Sequence, residues 1–143
     1  MVLGAKAGVQ VVLATPPELA PQPLVRELAR ASAADGGSVT LTTDPVAAAT
    51  GAHALYTDVW VSMGDEAGAA ERRALLAPFR LDETLLARAR DDAVALHCLP
   101  AHPGEEISEG VLYGERSAVW DQAENRLHTQ KALLELLLGR SSA

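Results

Sequence analysis

The sequence predicts an α/β fold in which a parallel sheet forms the middle of three layers, with helices on both faces. Three observations support this prediction. Short β-rich runs alternate with segments of helical periodicity, and proline, glycine or aspartate stands at most of the junctions between them. In addition, the apolar run that begins at Ala54 has the character of a buried parallel strand.

The first part of the chain predicts three strands and two helices. Residues 1–8 resemble the tail of a helix, and the strands cover residues 9–15, 38–42 and 54–59. The first connecting helix begins near Pro23 and stops at Gly36-Gly37. The second opens with Asp44 as its N-cap and Pro45 in its first turn, and ends at Gly51.

The second part predicts further helices around a fourth strand. Helices are expected at residues 65–78 and at residues 82–90, where Asp82 is the N-cap, and the fourth strand covers residues 93–100. Ser108 would cap a short helical turn, and residues 118–121 would form a short last strand. A final amphipathic helix is expected to pack on the body through a stripe formed by Ala123, Leu127, Gln130, Leu134 and Leu137.

Composition excludes several classes of function. The 143 residues are enough for one ordinary domain, so residues 1–143 are interpreted as a single unit. A net charge of −7 argues against binding to nucleic acid or to an anionic membrane, because both need clustered cations. No apolar run approaches the length of a membrane span, and Cys98 is the single cysteine, so we expect a cytoplasmic protein.

The strongest candidate for a binding site is the loop after the third strand. It carries Asp58, Ser62 and Met63, and ligands of parallel sheets collect beyond the carboxyl ends of the strands. Asp58 would hold an ammonium group, while Ser62 and the backbone near Met63 would take a carboxylate. The alternative, which the sequence leaves open, is that Asp58 only stabilises the following turn through an Asx-type hydrogen bond.

A second candidate is His97-Cys98-Leu99-Pro100, at the end of the fourth strand, which we expect to lie beside the end of the third strand. Adjacent strand residues point to opposite faces, so His97 and Cys98 are poorly placed to act as a catalytic pair. We interpret Cys98 as a ligand contact and not as a covalent nucleophile, since no strong cation stands beside it in the sequence.

Two further sets of polar residues could carry chemistry. His53, His97, Cys98, His102 and His128 do not have the spacing of a zinc site, so no metal is expected. Arg126 belongs to a polar cluster before the last helix, where most such residues are caps. An arginine near the ligand edge of the sheet is nevertheless suited to clamp a phosphate or carbamoyl oxygen.

Three segments together carry a family resemblance: Asp58-Val-Trp-Val-Ser-Met-Gly64, His97-Cys-Leu-Pro100 and Val119-Trp-Asp-Gln-Ala-Glu-Asn-Arg-Leu-His128. In this order they resemble the carboxy-terminal, ornithine-binding domain of ornithine carbamoyltransferase. The first segment is the most specific, because relatives that use other amines also carry His-Cys-Leu-Pro. The match runs over nearly the whole chain.

The resemblance implies a Rossmann-like fold and a role for each site residue. Asp58, Ser62 and Met63 would hold the amino-acid end of ornithine, and Cys98 would face its side-chain amine. Leu99 would contribute backbone contacts, and Arg126 would help to hold carbamoyl phosphate. The family joins the two substrates, L-ornithine and carbamoyl phosphate, to give citrulline and phosphate, and it does so without a cofactor.

The sequence also departs from the family pattern. The amino-terminal carbamoyl-phosphate domain, with its Ser-x-Arg-Thr-Arg loop, has no counterpart here, and the first strand of the ornithine-binding domain is also absent. His102-Pro103-Gly104-Glu105 only mimics the family's His-Pro-x-Gln motif. We therefore expect a truncated domain that is inactive alone and that either self-associates or pairs with a complementary carbamoyl-phosphate domain.

Two alternatives remain open at this stage. The chain could be a non-catalytic amino-acid-binding module, or the remnant of a truncated carbamoyltransferase. A carbamoyltransferase for another amine, such as putrescine, is disfavoured by Ser62 and Met63, because a diamine has no carboxylate for that loop to bind.

Overall fold

A computed structural model describes residues 1–62, 64 and 67–139. Its strands and helices alternate along the chain, with short 3-10 turns at Pro17–Leu19 and Ala77–Phe79. In order, the elements are α1 (Val2–Lys6), β1 (Gln10–Ala14), α2 (Pro23–Ala31), β2 (Ser38–Thr42), α3 (Pro45–Ala49), β3 (Ala54–Thr57), α4 (Ala69–Leu76), α5 (Glu83–Leu86), β4 (Val94–His97), α6 (Glu109–Leu112) and α7 (Val119–Leu138). The predicted parallel α/β fold is confirmed.

The four strands form two parallel pairs. β1 pairs with β2, with Val11 opposite Val39, and β3 pairs with β4, with Thr57 opposite His97. Each pair is a separate two-stranded sheet. All four predicted strands are therefore present, and those that neighbour each other run in the same direction. Their carboxyl ends consequently meet in pairs, which decides where the loop residues lie.

The buried side chains form two clusters that coincide with the two sheets. The larger cluster surrounds β3 and β4 and includes Leu55, Leu81, Ile107 and Leu112. The smaller one consists of Ala5, Ala29 and Val39, with partly buried residues of α1, β1 and β2 packed against it. Most of the tightly packed interior thus lies on the side of β3 and β4.

Short side chains cap the helices as the sequence predicts. Asp44 Oδ1 accepts hydrogen bonds from the N–H groups of Val46 and Ala47, at 2.9 and 3.0 Å. Asp82 accepts from the Leu85 N–H at 2.8 Å, and Ser108 begins α6 in the same way. Such caps satisfy backbone donors that have no partner inside the helix.

Three predicted elements have different bounds in the structure. The helix expected at residues 65–78 is α4, from Ala69, and its expected start at Asp65 and Glu66 lies outside the described residues. The helix expected at residues 82–90 is only the single turn of α5. The long helix expected to continue to Gly36 is α2, which ends at Ala31.

The short strand predicted at residues 118–121 is wrong. The chain contacts the outer edge of β4 through one bridge, between Ala95 and Ser117, and α7 then begins at Val119. Ala95 donates to the Arg116 C=O and accepts from the Ala118 N–H. The buried Val119 therefore belongs to the first turn of a helix that starts against the sheet edge, and not to a strand.

The prediction that the last helix packs on the body along its full stripe is also wrong. Leu127, Leu134 and Leu137 are 67%, 57% and 65% exposed. α7 has 20 residues, which corresponds to about 30 Å, and its contacts with the sheet are made to β4. The helix extends beyond the sheet against which it starts, so its leucine-rich second half is exposed. Within the described part of the chain, no helix combines the length and the apolarity needed to cross a membrane.

Candidate functional site

The loops that follow β3 and β4 meet at one rim. β3 ends at Thr57 and β4 at His97, and these two residues stand opposite each other in the parallel register. The next residues, Asp58 and Cys98, are therefore neighbours, and the Cys98 thiol donates to Asp58 Oδ1 across 2.8 Å. The predicted meeting of these two sequence-distant loops is confirmed. Both residues are exposed, so a ligand can reach the rim from solvent.

The hydrogen bonds of Asp58 bear on the Asx-turn interpretation of this residue. Its Oδ1 also accepts from the N–H of Val59, the next residue, at 2.7 Å. An Asx turn needs a bond to the second residue along the chain, so this contact does not have the geometry of one. Oδ2 has no hydrogen-bond partner among the described residues. One carboxylate oxygen thus orders the loop and the other is available at the rim.

The Cys98 thiol is held in its protonated form. Burial raises its pKa, and the hydrogen bond to Asp58 and the negative charge of that carboxylate raise it further. A thiolate beside a carboxylate is unfavourable, because two like charges would share one site. At neutral pH Cys98 is therefore a polar contact and a poor nucleophile, as the sequence indicates.

Gln122, in the first turn of α7, ties the two strand ends together. Its Nε2 donates to the Tyr56 hydroxyl at 3.1 Å, and its Oε1 accepts from the His97 N–H at 3.1 Å. Burial raises the pKa of Tyr56, and the nearby Cys98 and Asp58 act in the same direction, while the Gln122 hydrogen bond opposes them. Tyr56 and Gln122 are site residues that our sequence analysis missed.

A buried hydrogen bond between His97 and Glu106 supports the Cys98 loop from below. His97 and Glu106 are 1% and 0% exposed, and His97 Nε2 lies 3.1 Å from Glu106 Oε1. The Leu99 N–H donates to His97 Nδ1 at 2.8 Å, so that nitrogen is an acceptor. The ring proton must then sit on Nε2 and point at Glu106. This arrangement fixes the orientation of the imidazole and, through it, the backbone of Leu99.

Glu106 also binds the next part of the same loop. Its Oε1 accepts from the His102 N–H at 2.6 Å. Its buried Oε2 has no hydrogen-bond partner among the described residues, although His102 Nδ1 lies 3.9 Å away, within ion-pair distance when His102 is protonated. No local pattern signals this role, because Glu106 stands in a loop without periodicity.

Leu99 has an unusual backbone. Its φ is +58°, in the left-handed region, and the following bond to Pro100 is cis. Because the Leu99 N–H is already used by His97, only its C=O is free among the described residues to contact a ligand. The predicted backbone role of Leu99 is therefore restricted to accepting a hydrogen bond.

The remaining predicted site residues are Ser62, Met63 and Arg126. Ser62 is exposed, two residues after the buried Trp60 that anchors its loop, and Met63 lies outside the described residues. Arg126 is exposed on α7, four residues after Gln122 and hence on the same helix face. No hydrogen bond or ion pair joins Arg126 to the described residues of the rim. Within the described residues, no group of three His, Cys, Asp or Glu side chains is arranged to hold a metal ion.

Comparison with known proteins now adds to this geometry. The family model for aspartate/ornithine carbamoyltransferase, Asp/Orn-binding domain, matches residues 1–137. The chain belongs to this carbamoyltransferase family. The resemblance that Asp58, His97-Cys98 and the Arg126 segment carry in the sequence is thus confirmed at the level of the family.

Individual members of the carbamoyltransferase family match at high identity. The ornithine carbamoyltransferase of Rhodococcus opacus (strain B4) is 57% identical over 141 residues, which are 98% of this chain and 45% of that protein. The enzyme of the same name from Pyrococcus horikoshii is 50% identical over 140 residues, which are 97% and 44% of the two chains. The chain therefore spans less than half the length of these relatives.

The fold of a solved family member agrees with these matches. The structure of ornithine carbamoyltransferase from Pyrococcus furiosus superimposes with a TM-score of 0.87 at 50% identity, over 93% of this chain and 43% of that one. The α/β fold of this chain therefore matches that of a solved ornithine carbamoyltransferase. The rim at Asp58 and Cys98 is the candidate site within it.

Proposed function

We propose that the rim of Asp58 and Cys98 binds L-ornithine for carbamoyl transfer from carbamoyl phosphate, giving citrulline and phosphate. The observation that carries the proposal is the 2.8 Å contact between Cys98 Sγ and Asp58 Oδ1, which joins the two motif-bearing loops at one edge. Membership of the aspartate/ornithine carbamoyltransferase family supports the reaction class, and the names of the similar proteins support ornithine as the amine.

The proposed pose uses the charge of each group at the rim. The carboxylate of Asp58 faces the α-ammonium group of ornithine, while Ser62 and the backbone near Met63 accommodate the α-carboxylate. The protonated Cys98 thiol and the free Leu99 C=O face the side-chain amine, which must be neutral to attack. A carbonyl can accept a hydrogen bond from a neutral amine, and a neutral thiol places no negative charge beside it that would favour its protonated form.

The chemistry in this proposal is a direct group transfer. The ornithine amine nitrogen forms a bond to the carbamoyl carbon, the bond from that carbon to the phosphate oxygen breaks, and the proton that the nitrogen loses passes to the departing phosphate. The contribution of the protein is to position the two reactants and to stabilise the developing charge. In this proposal Arg126 contacts the carbamoyl phosphate, because a guanidinium recognises phosphate and carbonyl oxygens well. No cofactor takes part.

The proposal assigns the carbamoyl-phosphate site chiefly to a complementary domain. Cationic side chains, which bind phosphate groups, are few at this rim. The residues that the described loops offer there are Asp58, Ser62, Cys98 and Leu99. We therefore propose that the chain alone is inactive and that it works by pairing with such a domain, or by self-association that assembles one. A single free cysteine accords with a cytoplasmic location.

Calorimetric titration of the chain tests the ornithine site directly. L-ornithine should bind, and putrescine, which keeps both amines but has no carboxylate, should bind at least about tenfold more weakly. Equal affinity for the two ligands would contradict the proposed use of Ser62 and Met63. Citrulline formation, measured with and without a carbamoyl-phosphate domain from a relative, tests the catalytic half.

A non-catalytic amino-acid-binding module is the second candidate. The observation that favours it is the position of Arg126, which is exposed on α7 and has no hydrogen bond or ion pair with the described residues of the rim. On this alternative, ornithine binds to the chain, but no citrulline forms when the complementary domain and carbamoyl phosphate are added. The two measurements together separate the candidates.

A further inference from the structure

Four polar side chains lie together on one face of the sheet formed by β3 and β4, at its carboxyl end. Side chains alternate between the two faces of an extended chain, so Tyr56 and Asp58, two residues apart, share a face. Cys98 stands beside Asp58 at the end of the neighbouring strand and donates to it. Gln122 of α7 reaches the same face, where it contacts the Tyr56 hydroxyl. The four side chains thus form one polar cluster.

Gln122 is oriented by a backbone donor. A backbone N–H can only donate, so the atom of Gln122 that meets the His97 N–H is the oxygen Oε1, at 3.1 Å. The amide nitrogen Nε2 then points at the Tyr56 hydroxyl, also at 3.1 Å. Because this nitrogen donates and does not accept, the Tyr56 oxygen accepts the bond. The Tyr56 proton is consequently left for another acceptor.

That acceptor is the Cys98 sulfur. Burial has the largest influence on the pKa of both groups and raises both. The hydrogen bond between them raises the pKa of Tyr56 and lowers that of Cys98, as expected when Tyr56 donates and Cys98 accepts. The Cys98 thiol in turn donates to Asp58 Oδ1 across 2.8 Å, since a carboxylate only accepts. The protons of Gln122, Tyr56 and Cys98 therefore all point toward Asp58. We call this series the hydrogen-bond chain.

The direction of the hydrogen-bond chain matters for a neutral amine. The proposed reaction uses the lone pair of the ornithine side-chain amine to attack the carbamoyl carbon, so the two N–H groups of this amine need acceptors. The Leu99 C=O is one of them. A thiol that turned its proton to the amine nitrogen would occupy the lone pair that attacks. Because the Cys98 proton is committed to Asp58, the sulfur offers the amine a lone pair and is the second acceptor.

Tyr56 strengthens this arrangement through cooperativity. A group that receives a hydrogen bond becomes a better donor, so donation from Tyr56 strengthens the bond from the Cys98 thiol to Asp58. The sulfur is also held from two sides, whereas a single contact would let the thiol rotate. Gln122 occupies the Tyr56 oxygen and so keeps the hydroxyl proton on the Cys98 side.

We propose that Tyr56 and Gln122 are positioning residues for the ornithine side-chain amine, because the hydrogen-bond chain that they begin holds the Cys98 thiol as an acceptor toward it. This inference rests on the proposed ornithine site, and it adds the basis of selectivity for a ligand with a side-chain amine. Neither residue needs to touch the ligand. The alternative is that both only tie β3, β4 and α7 together, and this alternative predicts no such selectivity.

Calorimetric titration with two ligands tests the proposal. L-ornithine and L-norvaline have the same amino-acid end and the same carbon chain, but norvaline has no side-chain amine. Titration at about pH 9 raises the neutral fraction of that amine. We expect the unaltered chain to prefer ornithine. In Tyr56→Phe the ratio of the two affinities should fall by about three- to tenfold, with norvaline binding unchanged.

Gln122→Glu is the second variant, and it keeps the shape of the side chain. Its carboxylate cannot donate to Tyr56, so the hydroxyl proton would turn from Cys98 to the new carboxylate. The preference for ornithine should fall as it does in Tyr56→Phe. Tyr113→Phe is the matched control, because Tyr113 is an exposed tyrosine outside the rim, and it should leave both affinities unchanged. If Tyr56→Phe does not fold, Gln122→Glu decides.

Alkylation of Cys98, the single cysteine, tests the direction of the hydrogen-bond chain without any ligand. Tyr56→Phe removes a donor that stabilises the thiolate, so the thiol pKa rises and the alkylation profile should move to higher pH. Gln122→Glu should move the profile in the same direction, and Tyr113→Phe should leave it in place.

The outcomes separate this inference from the proposed function. If the unaltered chain prefers ornithine and both variants weaken the two ligands equally, Tyr56 and Gln122 are structural and the inference is overturned, while the ornithine site stands. An alkylation profile that does not move in Tyr56→Phe also overturns it. If the unaltered chain binds neither ligand, the proposed function fails and this inference fails with it.

Discussion

His97 Nε2 lies 3.1 Å from Glu106 Oε1 in the buried interior, directly beneath the loop that carries Cys98. The other ring nitrogen of His97 accepts from the Leu99 N–H, so one imidazole connects a buried carboxylate to the exposed rim. The loop geometry at the candidate site is therefore set by an interaction that no ligand touches. A change at Glu106 should act on stability first and on the rim second.

Replacement of Glu106 by leucine should destabilise the fold. It would leave the buried His97 Nε2 proton and the partly buried His102 N–H without partners, and the loss of a partner for a buried group costs about 1–3 kcal/mol. Urea unfolding followed by circular dichroism measures the change in the free energy of unfolding. Glu115→Leu is the control: Glu115 is exposed, and a surface substitution of this kind changes stability by less than about 0.5 kcal/mol. Equal effects of the two variants would show that Glu106 does not organise the loop.

Replacement of Asp58 by asparagine should weaken ornithine binding by about ten- to hundredfold, because a charge-assisted contact to the ammonium group is lost. Calorimetric titration gives the dissociation constant. Asp92→Asn is the matched control, since Asp92 is an exposed aspartate whose recorded partner is Arg90. The proposed role of Asp58 would be refuted if both variants bound ornithine as the unaltered chain does.

The reactivity of Cys98 should rise only at high pH. Because burial and Asp58 raise the thiol pKa, its alkylation by iodoacetamide should reach half of its maximal rate at a higher pH than that of an unstructured cysteine. Asp58→Asn removes the charge of the carboxylate, and the alkylation profile should then move to lower pH. The raised pKa also means that any stability due to this group is present below the ordinary thiol pKa. That stability declines as the pH rises through the folded value. An alkylation profile unchanged by Asp58→Asn would contradict the assignment.

Removal of the Gln122 amide should raise the pKa of Tyr56 further. The Gln122 hydrogen bond lowers this pKa, while burial raises it, so Gln122→Leu leaves the raising effects unopposed. Ultraviolet titration of the phenol measures the shift, and a Tyr113→Phe background leaves Tyr56 as the single tyrosine. Asp58→Asn in the same background should shift the titration in the opposite direction. A downward shift in the Gln122→Leu chain would show that the bond to Tyr56 does not form.

The elements that sequence reasoning predicted correctly are those set by local signals. The four strands end where proline, glycine or a polar loop residue interrupts them. Asp44, Asp82 and Ser108 are helix caps whose side chains accept hydrogen bonds from N–H groups within the next three residues. The meeting of Asp58 with Cys98 followed from a general property of parallel strands, whose carboxyl ends share one edge.

The errors and omissions depend on distant contacts. Residues 118–121 have strand-like composition, but Val119 is buried in the first turn of α7 because the chain leaves the edge of β4 after one bridge. Glu106 lies in the core because the side chain of His97 contacts it there. The leucine stripe of α7 has the correct period, yet periodicity does not tell whether a partner surface exists. In each case the deciding interaction lies outside the local sequence.

The division of the interior into two buried clusters has a consequence for folding. The buried cluster on the side with β1 and β2 consists of Ala5, Ala29 and Val39 among the described residues, so little apolar area resists its opening. The side with β3 and β4 contains the larger cluster and should persist after the first has melted. We expect two partial transitions on heating and not one cooperative event. A molecule that spans both sides would merge them and make the chain melt as a unit.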